Sequence, residues 1–182
     1  MKKQVPFAIL FVLLASASVT NAALNFGLMP GAAMPLTAPQ SDIFKTGGSV
    51  VLKMFVPMGQ TWDFSFSAVY LNCPVLEKPI VSLEKDYGYA SAFGLGPRLN
   101  RTFGRWESWI DVNELYVKTG KLDRFGFSGT LGFAIPVNES RSIKIGPFAS
   151  YFQIVQLNNK NGYDNRDARF LTFGLNVELG SA

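Results

Sequence analysis

Apolar and polar side chains alternate along this chain with a period of two. In RFLTFGLNVEL (Arg169 to Leu179), Leu171, Phe173, Leu175, Val177 and Leu179 share one parity and Thr172, Gly174, Asn176 and Glu178 the other. Successive Cβ atoms on a strand point to opposite sides, so the segment predicts a strand with one apolar and one polar face. FGFSGTLGFAIPV repeats the pattern, with Phe125, Phe127, Leu131, Phe133, Ile135 and Val137 opposing Gly126, Ser128, Thr130, Gly132 and Ala134. Both segments are long enough to cross a bilayer as tilted strands, which takes roughly 9–11 residues.

Six further segments carry the same alternation. Leu24 to Met34 sets Leu24, Phe26 and Leu28 against Asn25, Gly27 and Gly31, and Ser49 to Val56 follows after a long polar stretch. WDFSFSAVYL sets Trp62, Phe64, Phe66 and Tyr70 against Asp63, Ser65 and Ser67. YGYASAFGLGP has Gly88, Ala90, Ala92, Gly94 and Gly96 on its even positions. WESWIDVNELYV sets Trp106, Ile110, Val112 and Tyr116 against Glu107, Asp111 and Asn113, and SIKIGPFASYFQIV sets Ile143, Ile145 and Tyr151 against Lys144 and Gly146. Pro and Gly punctuate the intervals, as in PMGQT. The longer connections are expected at Pro35 to Gly48, Asn72 to Asp86, Lys118 to Arg124 and Gln156 to Ala168, all at one end. Bacterial barrels carry short periplasmic turns and longer extracellular loops, so these four should face outward with both termini periplasmic.

The start of the chain sets the compartment. Lys2 and Lys3 precede an apolar run from Val5 to Val19, followed by TNAA, the layout of a cleavable signal peptide. The run is short for a spanning helix, which needs about 20 apolar residues. The expected organisation is a signal peptide over 1–22 and one barrel domain over 23–182. A membrane protein without spanning helices must be a closed barrel, because open sheet edges are not satisfied in lipid. The fold class is therefore all-β, an eight-stranded antiparallel up-and-down transmembrane β-barrel.

Composition narrows the function classes. The chain has 17 basic and 13 acidic residues, and removing Lys2 and Lys3 leaves 15 basic ones, too small an excess for a nucleic-acid footprint. Charged residues are 16% and aromatic ones 14%, a bias that fits aromatic girdles around a barrel. Cys73, the single cysteine, has no partner for an internal disulfide and reads as an inert thiol. There is no histidine, which removes the commonest base for a Ser nucleophile, and no nucleophile motif is present. Glu107 and Asp111 are a carboxylate pair on one strand face and read as structural. No Cys/His cluster or Gly-rich phosphate loop points to a metal or cofactor, and NNKNGYDNRDA lacks the spacing of a calcium loop.

On these strands and connections the chain resembles the small eight-stranded outer-membrane barrels of the OmpA/OmpX type. The ending TFGLNVEL resembles the C-terminal recognition signal of outer-membrane proteins at Thr172, Gly174, Val177 and Leu179. It departs from that signal in carrying Leu179 and then Gly180, Ser181 and Ala182 where an aromatic residue would close the chain. The resemblance implies that the barrel-assembly machinery reads this segment during biogenesis.

The interior of an eight-stranded barrel is filled by side chains. The polar parity places Lys53, Asp63, Glu107, Asp111, Lys144 and Glu178 there, and buried charges need partners, so a lumen of salt bridges and waters is expected. Lys118, Lys121 and Arg124 cluster at the third outward loop, where lipopolysaccharide phosphates would lie. Arg98, Arg101 and Arg105 cluster at the second inward turn, where they would meet anionic lipid head groups. The leading function class is a non-enzymatic, monomeric envelope or surface-interaction barrel in outer-membrane lipid. A narrow channel and a soluble lipocalin-like carrier are the alternatives.

Overall fold

The computed structural model describes residues 24–76, 88–120, 122–158 and 167–180. The expected signal peptide, Lys121 and parts of two outward connections lie outside the described residues. Eight strands follow one another: β1 (Asn25–Pro35), β2 (Gly47–Pro57), β3 (Trp62–Asn72), β4 (Tyr89–Phe103), β5 (Trp106–Thr119), β6 (Leu122–Pro136), β7 (Ile143–Ile154) and β8 (Ala168–Leu179). Each pairs antiparallel with its chain neighbours, and β1 pairs with β8, so the sheet is a closed barrel without edges. The expected fold class holds. No helix among the described residues is long and apolar enough to cross a membrane.

The end where β1 begins and β8 finishes is here the base, and the opposite end the crown. Connections at the base run over 58–61, 104–105 and 137–142. Those at the crown run over 36–46, 73–88, 120–121 and 155–167, the first holding α1 (Gln40–Ile43). Two connections differ from the sequence expectation. β4 does not stop at Pro97 but continues to Phe103, and the turn to β5 is Gly104 and Arg105, with Gly104 at a φ of 62°. The strand passes through proline because the ladder to β5 skips Gly96 and Pro97 and resumes at Arg98↔Asp111, so no bond needs the missing N–H. The loop expected from Lys118 to Arg124 is far shorter, since β5 runs to Thr119 and β6 begins at Leu122, with Gly120 at a φ of 54°. Lys118 and Arg124 are strand residues.

Parity sorts the side chains as the alternation requires. Leu28, Leu52, Phe93, Ile110, Leu131 and Leu175 stand on the outer wall, with Phe93 68% exposed. The interior is not uniformly polar, which corrects the expected lumen. Its crown half is a packed apolar plug of Leu71, Leu115, Phe152 and Phe170, topped by Ile43 and Phe44, which the first crown connection folds into the mouth. Gln40 and Asn158 exchange amide hydrogen bonds of 2.7 and 3.1 Å and hold two crown connections together over this plug. The charges occupy the other half.

Candidate functional site

The charged half of the lumen is built from inward positions on six strands. β2 and β5 bring Lys53 and Asp111 together as a salt bridge whose side chains are 2% and 0% exposed. Asp111 also accepts from Asn113 Nδ2 at 2.7 Å, and Asn113 Oδ1 accepts from Ser65 Oγ at 2.8 Å. Toward the base a second cluster forms around Arg98 of β4. One of its Nη atoms donates to both oxygens of Glu178, at 2.9 and 3.1 Å, and its Nε to Asn100 Oδ1 at 2.6 Å. Asp63 and Glu107 lie 3.8 and 3.9 Å from the same guanidinium. Glu107 in turn accepts from Lys144 Nζ at 2.5 Å. The structure thus brings all six expected lumen residues into two linked clusters.

Arg98 is the correction. Expected at a turn among lipid head groups, it is 1% exposed in the lumen and has no access to lipid. The reason is parity: it follows Gly94 and Gly96 on the inward face once β4 runs past Pro97. The sequence reading also passed over Trp109, an inward aromatic residue of β5. Its ring lies 4.5 Å from the Arg98 guanidinium and 5.4 Å from Lys53 Nζ, and Phe55 covers the guanidinium at 4.0 Å. These ring faces attract the two cations. Gly132 makes room for the indole, since a Cβ there would collide with the Trp109 ring. Small residues on the inward parity of β6 were the available signal for a bulky neighbour.

Below Arg98 the lumen opens at the base into a cavity of about 290 Å³ lined by Asp63, Glu107, Lys144 and Glu178, with Arg105 and Arg141 among its further lining residues. Between plug and charges lies a void of about 10 Å³ edged by Lys53, Ser67, Ser128 and Thr130, room for about one water. Every lumen carboxylate is engaged by a cation or an amide: Asp111, Glu107 and Glu178 by Lys53, Lys144 and Arg98, and Asp63 by Asn100 Nδ2.

The remaining expected residues are dispersed. Arg101 and Lys118 are exposed on the outer face, Arg105 lies in the base turn, and Arg124 takes an inward-parity position at the crown. Lys121 lies outside the described residues. Of the C-terminal signal positions, Thr172 and Gly174 face in, while Val177 and Leu179 share the outward face. Gly174 pairs with Gly31 across the β1/β8 seam, and a Cβ on either would strike the other strand's backbone. Cys73, just beyond β3, is buried, donates to the Ala33 carbonyl at 3.5 Å, and is pushed by burial up to about 11.

No protein-family model matches the chain, and no curated protein matches it. Among solved structures it is similar to Neisserial surface protein A (NspA), at 10% identity and a TM-score of 0.60 over 86% of this chain and 96% of that one. It is also similar to the outer membrane protein OprG from Pseudomonas aeruginosa, at 12% identity and a TM-score of 0.47 over 87% of this chain and 97% of that one. Ail, the attachment invasion locus protein of Yersinia pestis, matches at 8% identity and a TM-score of 0.46 over 87% and 99% of the two chains. The closed barrel and its likeness to NspA give this chain the fold of the small eight-stranded outer-membrane β-barrels.

Proposed function

We propose that the protein is a non-enzymatic integral outer-membrane barrel that serves the envelope structurally or presents its crown connections for surface interactions. The observation that carries this reading is the distribution of side chains between the two faces. Large apolar residues cover the outer wall from Phe26 and Leu28 round to Phe173 and Leu175, far more than a soluble surface exposes. Lys53, Asp63, Arg98, Glu107, Asp111, Lys144 and Glu178 are turned inward and engaged with one another or with Asn100. A lipocalin-like carrier needs the reverse arrangement, with an apolar pocket inside, whereas here the apolar half of the interior is filled. The same plug speaks against an open channel.

Export through the signal peptide, periplasmic termini and an extracellular crown belong to this reading. The long crown connections over 36–46, 73–88 and 155–167 support that orientation. Lys118 then stands at the level of lipopolysaccharide phosphates, and Arg101 and Arg105 face the inner leaflet. Thr172, Gly174, Val177 and Leu179 serve as the segment read by the barrel-assembly machinery. A monomer belongs to the same reading, and the closed sheet supports it only in leaving no free edge for strand pairing between copies.

Electrophoresis of the detergent-folded protein with and without boiling, beside fractionation of expressing cells, tests the proposal. A heat-dependent mobility shift and recovery with the outer membrane are expected. A water-soluble periplasmic protein without a shift would overturn it.

A further inference from the structure

Glu114 stands out on the outer wall. It shares the exposed face of β5 with Ile110, Val112 and Tyr116, and its register partners are Leu95 on β4 and Phe127 on β6. The other charged residues on outward strand positions among those described, Arg101, Lys118, Asp123 and Arg169, all sit within two residues of strand ends. Glu114 lies well inside β5 and has no hydrogen bond or ion pair among the described residues. A carboxylate on the lipid face of a barrel strand is unfavourable, and an ionisable group kept in such a place marks a site.

A groove of about 470 Å³ indents the wall beside it. Two register rows shape it. One runs Leu52, Ala68, Phe93, Tyr116, Phe125 and the other Phe66, Leu95, Glu114. Ala68 between Leu52 and Phe93, with Gly94 beside it, leaves the depression. Lys118 lies on the same face of β5, four residues toward the crown or about 13 Å at 3.3 Å per residue. It makes no ion pair among the described residues, although Asp123 is its register partner on β6.

We propose that this groove holds an acyl chain of a phosphorylated glycolipid from the crown-side leaflet, with Glu114 accepting a hydrogen bond from the lipid and Lys118 meeting its phosphate. This rests on the outer-membrane placement above and specifies its lipid contact. The chemistry selects the lipid class. A glycolipid with amide-linked, hydroxylated chains offers N–H and O–H donors a few bonds below its phosphates. A diacyl phospholipid offers only ester acceptors at that depth and leaves the carboxyl unsatisfied.

Native mass spectrometry of the full detergent-folded protein tests it, with diphosphoryl lipid A, dephosphorylated lipid A and phosphatidylglycerol as probes. The unsubstituted protein should retain one diphosphoryl lipid A at least tenfold more tightly than phosphatidylglycerol. Glu114→Leu should abolish that preference, and Lys118→Gln should erase the advantage of the diphosphoryl form over the dephosphorylated one. Ala68→Phe, which fills the groove from outside, should lose retention of all three. Each variant should keep the heat-dependent mobility shift, since none touches the lumen. Lipid A retention unchanged in Glu114→Leu and Ala68→Phe would overturn the inference while leaving the membrane placement standing, as would variants that change only self-association. A wild-type protein absent from the outer membrane would overturn both.

Discussion

At the scale of single residues, Arg98 bears the greatest consequence, because it is the cation paired with Glu178 and Asp63 and it also lies beside Glu107, which Lys144 shares. Arg98→Met should lower unfolding stability in liposomes by about 3–5 kcal/mol, the usual cost of leaving buried charge unpaired. Replacing Lys53 and Asp111 together with Met and Leu should cost far less than Asp111→Leu alone, since the double change leaves no orphaned charge. Urea titrations of the refolded barrel read both differences. Cys73 gives a pH prediction. Its thiol is held up to about 11 against an ordinary 9.0, so the folded state favours the protonated form. That contribution is intact below pH 9 and declines as pH rises toward 11. Iodoacetamide at pH 8 should therefore leave the folded barrel unlabelled and modify the boiled chain; rapid labelling of the folded form would contradict the burial. Parity alone placed Lys53, Asp63, Glu107, Asp111, Lys144 and Glu178 on the inner face. Arg98 escaped because proline was read as the end of β4, whereas the ladder tolerates it.

Strands and connections were unequally legible. Alternation marks β3, β6 and β8 to within a few residues, because burial on one side only leaves a period of two in the sequence. The shortness of the connection between β5 and β6 was hidden, since Lys118, Asp123 and Arg124 are as polar as a loop although they belong to strands whose ends leave the apolar belt. The plug was equally hidden: nothing local in Ile43 and Phe44 says that a connection folds back into a barrel mouth. The seam between β1 and β8 supplies an element-scale prediction. Gly174→Val sets a side chain against the Pro30 carbonyl and should reduce the yield of heat-shifting barrel several-fold in refolding assays. Gly129→Val, where a Cβ meets open space, should leave the yield unchanged. Equal yields for the two would remove the steric account of the seam.

For the whole molecule, a closed wall with an apolar outside and an inside filled by an apolar plug and paired charges describes a membrane body whose lumen is occupied by the described side chains. In planar bilayers the protein should show no steady conductance, because Leu71, Leu115, Phe152 and Phe170 close the crown half of the lumen. Sustained unitary currents would restore the channel reading. The central claim, that the apolar face of every strand is turned to lipid, is tested most directly by nitroxide labels placed one at a time from Trp109 to Lys118 along β5, in a Cys73→Ala background reconstituted in liposomes. Oxygen accessibility should rise and fall with a period of two, high at Ile110, Val112, Glu114 and Tyr116 and low at Trp109, Asp111, Asn113, Leu115 and Val117. A profile in which a water-soluble nickel reagent reaches the even positions, with no oxygen-rich face, would contradict the account.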